Sequence, residues 1–314
     1  MTLSPILTVK DLVISTSNES KKLTLVDNLS FELLPSEILS IVGESGSGKS
    51  ITAKSILGLL PKNFSVSGEI KYYEKNLIQT DEKAMLSVRG HEIGIVFQEP
   101  MTALNPVLSI GEQLTESMII SGKVNSKIAH ELALEMLNRV GIPHPKERME
   151  QFPHEFSGGM RQRILIAMMM LMEPNILIAD EPTTALDVTI QAQILDLLSA
   201  LVQEEKMSMI LITHDMGVVA QTADRVLVMK DGKKIEDGEV EEIFVGSKEN
   251  YTNQLLASVP RLTSNSKFKE YLPNSNLISI EKLSKSFSMI VSLLLIVREQ
   301  FFNPFLIKKS SKWF

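Results

Sequence analysis

The stretch ILSIVGESGSGKS, residues 38–50, joins an apolar run to a loop rich in glycine and serine. The run Ile38 to Val42 is short and rich in β-branched residues, which is typical of a strand buried on both faces. The loop Gly43-Glu44-Ser45-Gly46-Ser47-Gly48-Lys49-Ser50 matches the pattern G-x-x-x-x-G-K-[ST]. Because Ile51 to Leu60 is compatible with a helix, the motif has the strand and helix context that a phosphate-binding loop requires.

Each part of this loop has a predicted role in holding phosphate. Glycines let the backbone N–H groups turn inward around an anion, and the following helix presents the positive end of its dipole. We expect Lys49 to reach the outer phosphates and the Ser50 hydroxyl to bind Mg²⁺. A plain flexible loop is the alternative, and the strand, the spacing, the lysine and the serine together disfavour it.

Two further apolar runs end in polar residues. Ile176 to Ala179 precedes Asp180 and Glu181, and Met209 to Ile212 is followed closely by His214. Open parallel sheets bind ligands at the carboxyl ends of their strands. We therefore expect Asp180 to hold Mg²⁺ and Glu181 to orient or deprotonate an attacking water. An Asp-Glu pair can also be a solvated turn, and the phosphate-binding motif favours the functional interpretation.

The segments between these runs have helical periodicity. Ile128, Leu132, Met136 and Val140 are spaced by four, and Ile190 to Val202 has a similar pattern. The sequence thus predicts an α/β fold with a helical stretch in the middle, roughly from residue 106 to residue 151.

Composition excludes several classes of protein. The 314 residues are 44% apolar and 22% charged, which is typical of a globular chain, and the net charge of −6 argues against a nucleic-acid partner. The absence of cysteine excludes thiolate metal sites and iron–sulfur clusters. The longest apolar runs have nine residues, about half of what a bilayer span needs, and residues 1–10 do not form a secretory signal.

One more motif relates the chain to a known family. Ser157-Gly158-Gly159, within Phe156 to Arg163, resembles the signature of the ATP-binding-cassette (ABC) ATPases and precedes the Asp-Glu pair as it does there. Met160 stands where the family usually has glutamine. The resemblance implies that Ser157, Gly158 and Gly159 close over the γ-phosphate held by the opposite subunit of a head-to-tail dimer.

The resemblance also implies a fold and a set of ligands. The expected fold is a P-loop NTPase ABC cassette with a RecA-like parallel-sheet core, an antiparallel β subdomain and an inserted helical subdomain. The cassette is expected over residues 5–260, the helical part over about 106–165, and ATP and Mg²⁺ as its cofactors. The residues implied as catalytic are Lys49, Gln98, Glu181 and His214, and those implied as metal ligands are Ser50, Gln98 and Asp180. Ala185-Leu186-Asp187 resembles the loop that communicates across the dimer.

One feature of the family is missing. The aromatic residue that stacks on adenine is expected shortly after Lys10-Asp11-Leu12, where this chain has Thr16. Stacking contributes about 0.5–1.5 kcal/mol beyond burial, so we expect weaker adenine binding rather than its absence.

Four segments narrow the resemblance to the ATPases of oligopeptide, dipeptide and nickel importers: Gln98 to Pro106, Phe156 to Arg163, Asp180 to Asp187 and Tyr251 to Leu256. This similarity implies a membrane permease, a second ABC ATPase domain, and indirectly an extracytoplasmic substrate-binding protein as partners. It places the protein at the cytoplasmic face of the bacterial inner membrane, with peptides as cargo. The alternatives are a soluble ABC ATPase that acts on nucleic acid or ribosomes, and a non-catalytic truncated remnant.

The C-terminal segment predicts an interrupted repeat. Residues 261–276 are expected to form a linker, and Leu277 to Phe287 echoes Leu7 to Thr16, as if a second cassette began there. The chain would then resemble the N-terminal half of a fused two-cassette (YejF-like) ATPase. Residues 288–314 do not resemble the family, which indicates a frame change near Ser288. A natural tail that docks on a membrane or permease is the alternative.

Overall fold

The structure is a computed structural model, and it describes residues 4–18, 21–97, 103–122, 124–184 and 186–258. Three predictions fall outside these residues: the placement of Gln98, that of Ala185, and the linker, repeat and tail expected over residues 261–314.

A six-stranded sheet forms the centre of the fold, in the order β10-β9-β3-β8-β7-β6. Neighbours are parallel except for the antiparallel pair β9 and β10. Strands β3, β7 and β8 are buried along their whole length, which explains why most of their residues are apolar. The strands are β3 (Ile38–Val42), β6 (Ile93–Val96), β7 (Ile176–Asp180), β8 (Ser208–Thr213), β9 (Arg225–Lys230) and β10 (Lys233–Glu239).

A four-stranded antiparallel sheet, in the order β2-β1-β4-β5, covers part of the central sheet. Its strands are β1 (Leu7–Asn18), β2 (Lys21–Leu33), β4 (Phe64–Tyr72) and β5 (Lys75–Asn76). Leu7 and Leu12 of β1 share one hydrophobic core with Leu39 and Ile41 of β3. The two sheets therefore bury their apolar faces against the same layer of side chains.

Ten α-helices and a 3₁₀ turn complete the described part of the chain. They are α1 (Lys49–Ile56), α2 (Glu82–Val88), α3 (Ile110–Ile120), α4 (Ser126–Arg139), α5 (Pro145–Arg148), α6 (Gly158–Met170), α7 (Val188–Glu204), α8 (Met216–Thr222), α9 (Val240–Gly246) and α10 (Asn250–Ser258). Helices α3 to α6 are inserted between β6 and β7, and Leu114, Leu137 and Ile166 from this group share a core with Ala179 of β7. No helix in the described ranges is long and apolar enough to span a bilayer.

The buried face of helix α4 differs from the face predicted from its series of large apolar residues. Ile128 and Leu132 are 42% and 38% exposed, whereas Met136 and Val140 are buried. A spacing of four exceeds the 3.6 residues of a helical turn, so the series moves around the helix, from the exposed side at Ile128 to the core at Val140. The buried face consists of Ala129, Ala133, Met136 and Leu137.

Candidate nucleotide site

The phosphate loop lies at the carboxyl end of β3 and leads directly into α1. The helix begins at Lys49, two residues before the predicted start, because the end of the motif is itself helical. A Cβ at Gly43 would lie 2.1 Å from the carbonyl oxygen of Met229, so glycine lets the loop pass against the end of β9. Gly48 has φ +101, a conformation that favours glycine and turns the backbone into the helix.

The Lys49 ammonium lies inside the loop. Its Nζ donates to the carbonyl oxygens of Gly43 and Glu44, each at 2.8 Å, and the residue is only 4% exposed. Burial lowers the pKa of Lys49, and the carboxylates of Glu181 and Asp180 oppose that shift. A buried cation at a helix N-terminus is an arrangement that attracts phosphate.

Ser50 and Asp180 form the second element of the site. The Ser50 hydroxyl donates to Asp180 Oδ1 at 2.7 Å, joining the start of α1 to the end of β7. Burial raises the pKa of Asp180, and the hydrogen bond from Ser50 opposes the shift. These two hard oxygen ligands fit Mg²⁺, which typically takes one or two protein ligands beside water and phosphate oxygens. Within the described ranges, no group of three or more His, Cys, Asp or Glu side chains is arranged to hold a metal ion. A bound Mg²⁺ would therefore need water and phosphate oxygens as further ligands.

Glu181 and His214 form the third element. Glu181 has φ 46, in the left-handed region, and its backbone N–H donates to the Ile212 carbonyl at 3.0 Å. Its carboxylate accepts a hydrogen bond from the Thr184 hydroxyl at 2.9 Å and lies 3.5 Å from His214 Nδ1. A non-glycine residue in this conformation is strained, and such strain is concentrated at functional sites. The next residue after β7 is therefore fixed with its carboxylate beside the histidine that follows β8.

One cavity of about 690 Å³ brings most of the predicted side chains together. It is lined by Leu25, Gly43, Glu44, Ser45, Gly46, Gly48, Lys49, Ser50, Ile51, Glu181, His214 and Leu255. Asp180 reaches this group through its hydrogen bond to Ser50. A smaller cavity of about 320 Å³, between α4 and the start of β8, contains none of the predicted residues.

The signature segment does not line this cavity. Ser157 caps α6, and its hydroxyl accepts the Met160 N–H at the long distance of 3.4 Å. Gly158 and Gly159 form the first turn, where a Cβ on Gly159 would lie 2.6 Å from Cγ2 of Ile190. The chain therefore presents Ser157 to Gly159 at a helix N-terminus separate from its own phosphate loop.

Four residues near the site were not assigned a role from the sequence. Leu25 and Leu255 line the cavity, Thr184 holds Glu181, and the Tyr251 hydroxyl accepts the Glu44 N–H at 3.1 Å. The sequence relates the segment Tyr251 to Leu256 to importer ATPases, but it gives the residues of this segment no role in the site. No local pattern marks Leu25, because its position depends on how β2 passes the phosphate loop.

Comparison with known proteins identifies the family of this chain. The family model described as ABC transporter matches residues 26–184. The dipeptide transport ATP-binding protein DppD of Bacillus subtilis is 51% identical over 262 residues, which are 83% of this chain and 78% of that protein. The chain belongs to the ABC transporter family. The expected ABC ATPase class and cassette fold are thereby confirmed.

One other relative and one solved structure are also similar to this ABC protein. The peptidoglycan transport ATP-binding protein YejF of Agrobacterium fabrum is 47% identical over 259 residues, which are 82% of this chain but 47% of that longer protein. A solved dimeric structure of the ATP-binding cassette MJ0796, bound to ADP and Pi, is 27% identical with a TM-score of 0.67. That match covers 74% of this chain and 98% of the cassette.

Proposed function

We propose that this ABC ATPase hydrolyses Mg²⁺-ATP and couples the hydrolysis to uptake of small peptides through a membrane permease. The observation that carries the proposal is the cavity at which the phosphate loop, Glu181 and His214 meet. The Ser50–Asp180 pair adjoins it, so the residues that we propose as ligands of phosphate, metal and water lie at one edge of the sheet.

Each group has a distinct part in the proposed reaction. The loop N–H groups and Lys49 bind the phosphates, and Ser50 and Asp180 hold Mg²⁺, which when bound neutralises charge on the phosphate oxygens. Glu181 accepts a proton from the attacking water or orients it, and His214 donates to the γ-phosphate. Thr184 and the backbone bond to Ile212 keep the Glu181 carboxylate in place. Gln98 is proposed as a further ligand of the metal and the water.

We propose that the active site is completed by a second cassette. Ser157, Gly158 and Gly159 carry the phosphate-facing features of the signature, yet they do not line the cavity of their own chain. The similar cassette MJ0796 is a dimer. In a head-to-tail pair, the helix N-terminus of α6 would meet the ATP bound by the opposite phosphate loop.

Peptides are the proposed cargo, and an integral permease the proposed membrane partner. The name of the DppD relative specifies dipeptide transport, and that of YejF specifies peptidoglycan transport. We propose that the protein binds peripherally at the cytoplasmic face of the inner membrane through that permease, with an extracytoplasmic binding protein delivering substrate. Co-purification with a permease supports this proposal, whereas co-purification with RNA or DNA alone contradicts it.

The replacement Glu181→Gln tests the proposed catalytic role. Glutamine keeps the size of the side chain and its hydrogen bond to Thr184, but it does not accept a proton at neutral pH. We expect ATP binding to stay within about two-fold of wild type while turnover falls by about 10²–10⁴-fold, the usual contribution of a general base. Turnover is measured as phosphate release, and binding by equilibrium titration.

The matched control is Glu131→Gln, which makes the same change at an exposed position on α4. It should leave both turnover and ATP affinity unchanged. Hydrolysis by Glu181→Gln at a rate close to that of wild type contradicts the assignment.

A further inference from the structure

Helix α10 contacts the phosphate loop from a distant part of the chain. The backbone N–H of Glu44 donates to the Tyr251 hydroxyl at 3.1 Å, across 207 residues of sequence. One turn further along the helix, Leu255 lines the cavity that the loop encloses. The nucleotide site therefore has a wall contributed by α10 as well as by the central sheet.

The position of Tyr251 is fixed independently of this hydrogen bond. The residue is 8% exposed and packs in a hydrophobic core with Val42 at the end of β3 and Val228 of β9. The Lys230 ammonium lies 4.6 Å from the centre of its ring, within the range of a cation–π interaction. Burial raises the pKa of the Tyr251 hydroxyl, so the group is a neutral acceptor at physiological pH.

The peptide bond between Gly43 and Glu44 is held on both sides. Its N–H donates to Tyr251, and its carbonyl oxygen accepts from the Lys49 ammonium at 2.8 Å. Because a peptide unit is planar, a rotation that breaks one of these bonds also displaces the other. The orientation of this one peptide thus links the tyrosine on α10 to the lysine inside the loop.

We infer that Tyr251 is a positioning residue for the phosphate loop, which fixes the Gly43–Glu44 peptide and through it the Lys49 ammonium. The inference rests on the proposed function, since it assigns the tyrosine to the binding of the nucleotide phosphates. A single neutral hydrogen bond contributes about 1 kcal/mol, which corresponds to about a five-fold change in affinity.

The test compares two phenylalanine substitutions in the full chain, with ATP as the probe. Tyr251→Phe keeps the buried ring and removes only the hydroxyl. Tyr72→Phe removes the hydroxyl of another buried tyrosine, which donates to Glu92 at 2.6 Å and accepts from Asn175 at 2.8 Å, away from the cavity. We expect Tyr251→Phe to bind ATP and ADP about five-fold more weakly, and Tyr72→Phe to bind them like wild type. Tyr72→Phe should lose at least as much melting temperature as Tyr251→Phe, because the Tyr72 hydroxyl has hydrogen bonds to two side chains; the comparison therefore separates positioning from general stability.

Each outcome decides a different point. If the wild-type chain binds ATP and Tyr251→Phe binds it equally well, Tyr251 is purely structural and the inference is overturned. An equal loss of affinity in Tyr72→Phe overturns it as well, because the effect would then follow stability. If the wild-type chain itself does not bind ATP, the proposed function is overturned together with the inference.

Discussion

Residues 43–50 and residues 157–159 are both built from glycine and serine at the start of a helix, but their surroundings differ. The first segment encloses the buried Lys49 ammonium and lines a cavity with Glu181 and His214. The second segment caps α6 through one long hydrogen bond and packs beside Ile190 of α7. None of its three residues lines the cavity with Glu181 and His214. Similar local sequences thus give one site with its charged partners in place and one without them.

This difference shows why an anion-binding helix terminus is not a catalytic site by itself. The phosphate loop lies beside two carboxylates at the end of β7 and a histidine after β8, because the parallel sheet brings the ends of its strands together. The signature segment belongs to the inserted helices, and its proposed ligand is bound by another chain.

The largest expected effect on binding comes from Lys49→Ala. Charged hydrogen bonds contribute about 1.5–3 kcal/mol each, so ATP affinity of the single chain should fall by roughly 100-fold. Ser157→Ala should leave that affinity unchanged, since Ser157 does not line the cavity. Lys62→Ala, at an exposed lysine, controls for the lost charge. Equilibrium titration at protein concentrations below dimerisation measures all three, and equal losses in Lys49→Ala and Ser157→Ala would remove the distinction between the segments.

Asp180→Asn should separate stability from function. Asparagine still accepts the Ser50 hydrogen bond without a buried charge, so we expect the free energy of unfolding to rise by about 1 kcal/mol. The increase in ATP affinity that Mg²⁺ gives should disappear, a smaller loss of affinity than that in Lys49→Ala. Asp81→Asn, at the cap of α2 and away from the cavity, should change neither, because asparagine caps helices as well as aspartate.

The same variant gives a pH dependence with a definite sign. Since burial raises the pKa of Asp180, the folded state keeps a proton that the unfolded state has released once the pH exceeds the ordinary value of 3.8. The wild-type free energy of unfolding should therefore decrease, relative to that of Asp180→Asn, as pH rises from 3.8 through the raised pKa. Urea unfolding of both proteins over that interval measures the difference. A difference that grows in the opposite direction would mean that the folded state favours the charged carboxylate.

The smallest expected effect concerns helix capping. The Ser157 hydroxyl lies 3.4 Å from the Met160 nitrogen, whereas Ser109 at the start of α3 accepts the Glu112 N–H at 3.2 Å and shares a full capping box with Glu112. Ser157→Ala should cost less than about 0.5 kcal/mol of stability, and Ser109→Ala about 1 kcal/mol. Thermal or urea unfolding compares them. A larger loss at Ser157 would show that this serine stabilises its own helix rather than serving a ligand.

The sequence predicted those parts of the site that lie on short contiguous segments. The strand Ile38–Val42 and the loop after it coincide with the structure, because one buried strand and one motif determine them locally. The role of Tyr251, by contrast, could not be predicted from the sequence, because its partner Glu44 is 207 residues away and only tertiary packing brings the two together. Helix α4 shows an intermediate case: the apolar spacing predicted a helix and its buried Met136, while Ala129 and Ala133 rather than Ile128 and Leu132 complete the buried face.

The central claim, that the phosphate loop of one chain works with the signature segment of another, is tested most directly by mixing two inactive variants. Lys49→Ala disables the loop of its chain, and Ser157→Arg disables the signature segment. In a head-to-tail pair of one of each, one site has an intact loop from the Ser157→Arg chain and an intact signature from the Lys49→Ala chain. An equal mixture should recover about a quarter of wild-type ATPase activity, because half of the dimers are mixed and each has one complete site. A rate no higher than the sum of the two separate proteins would contradict the account.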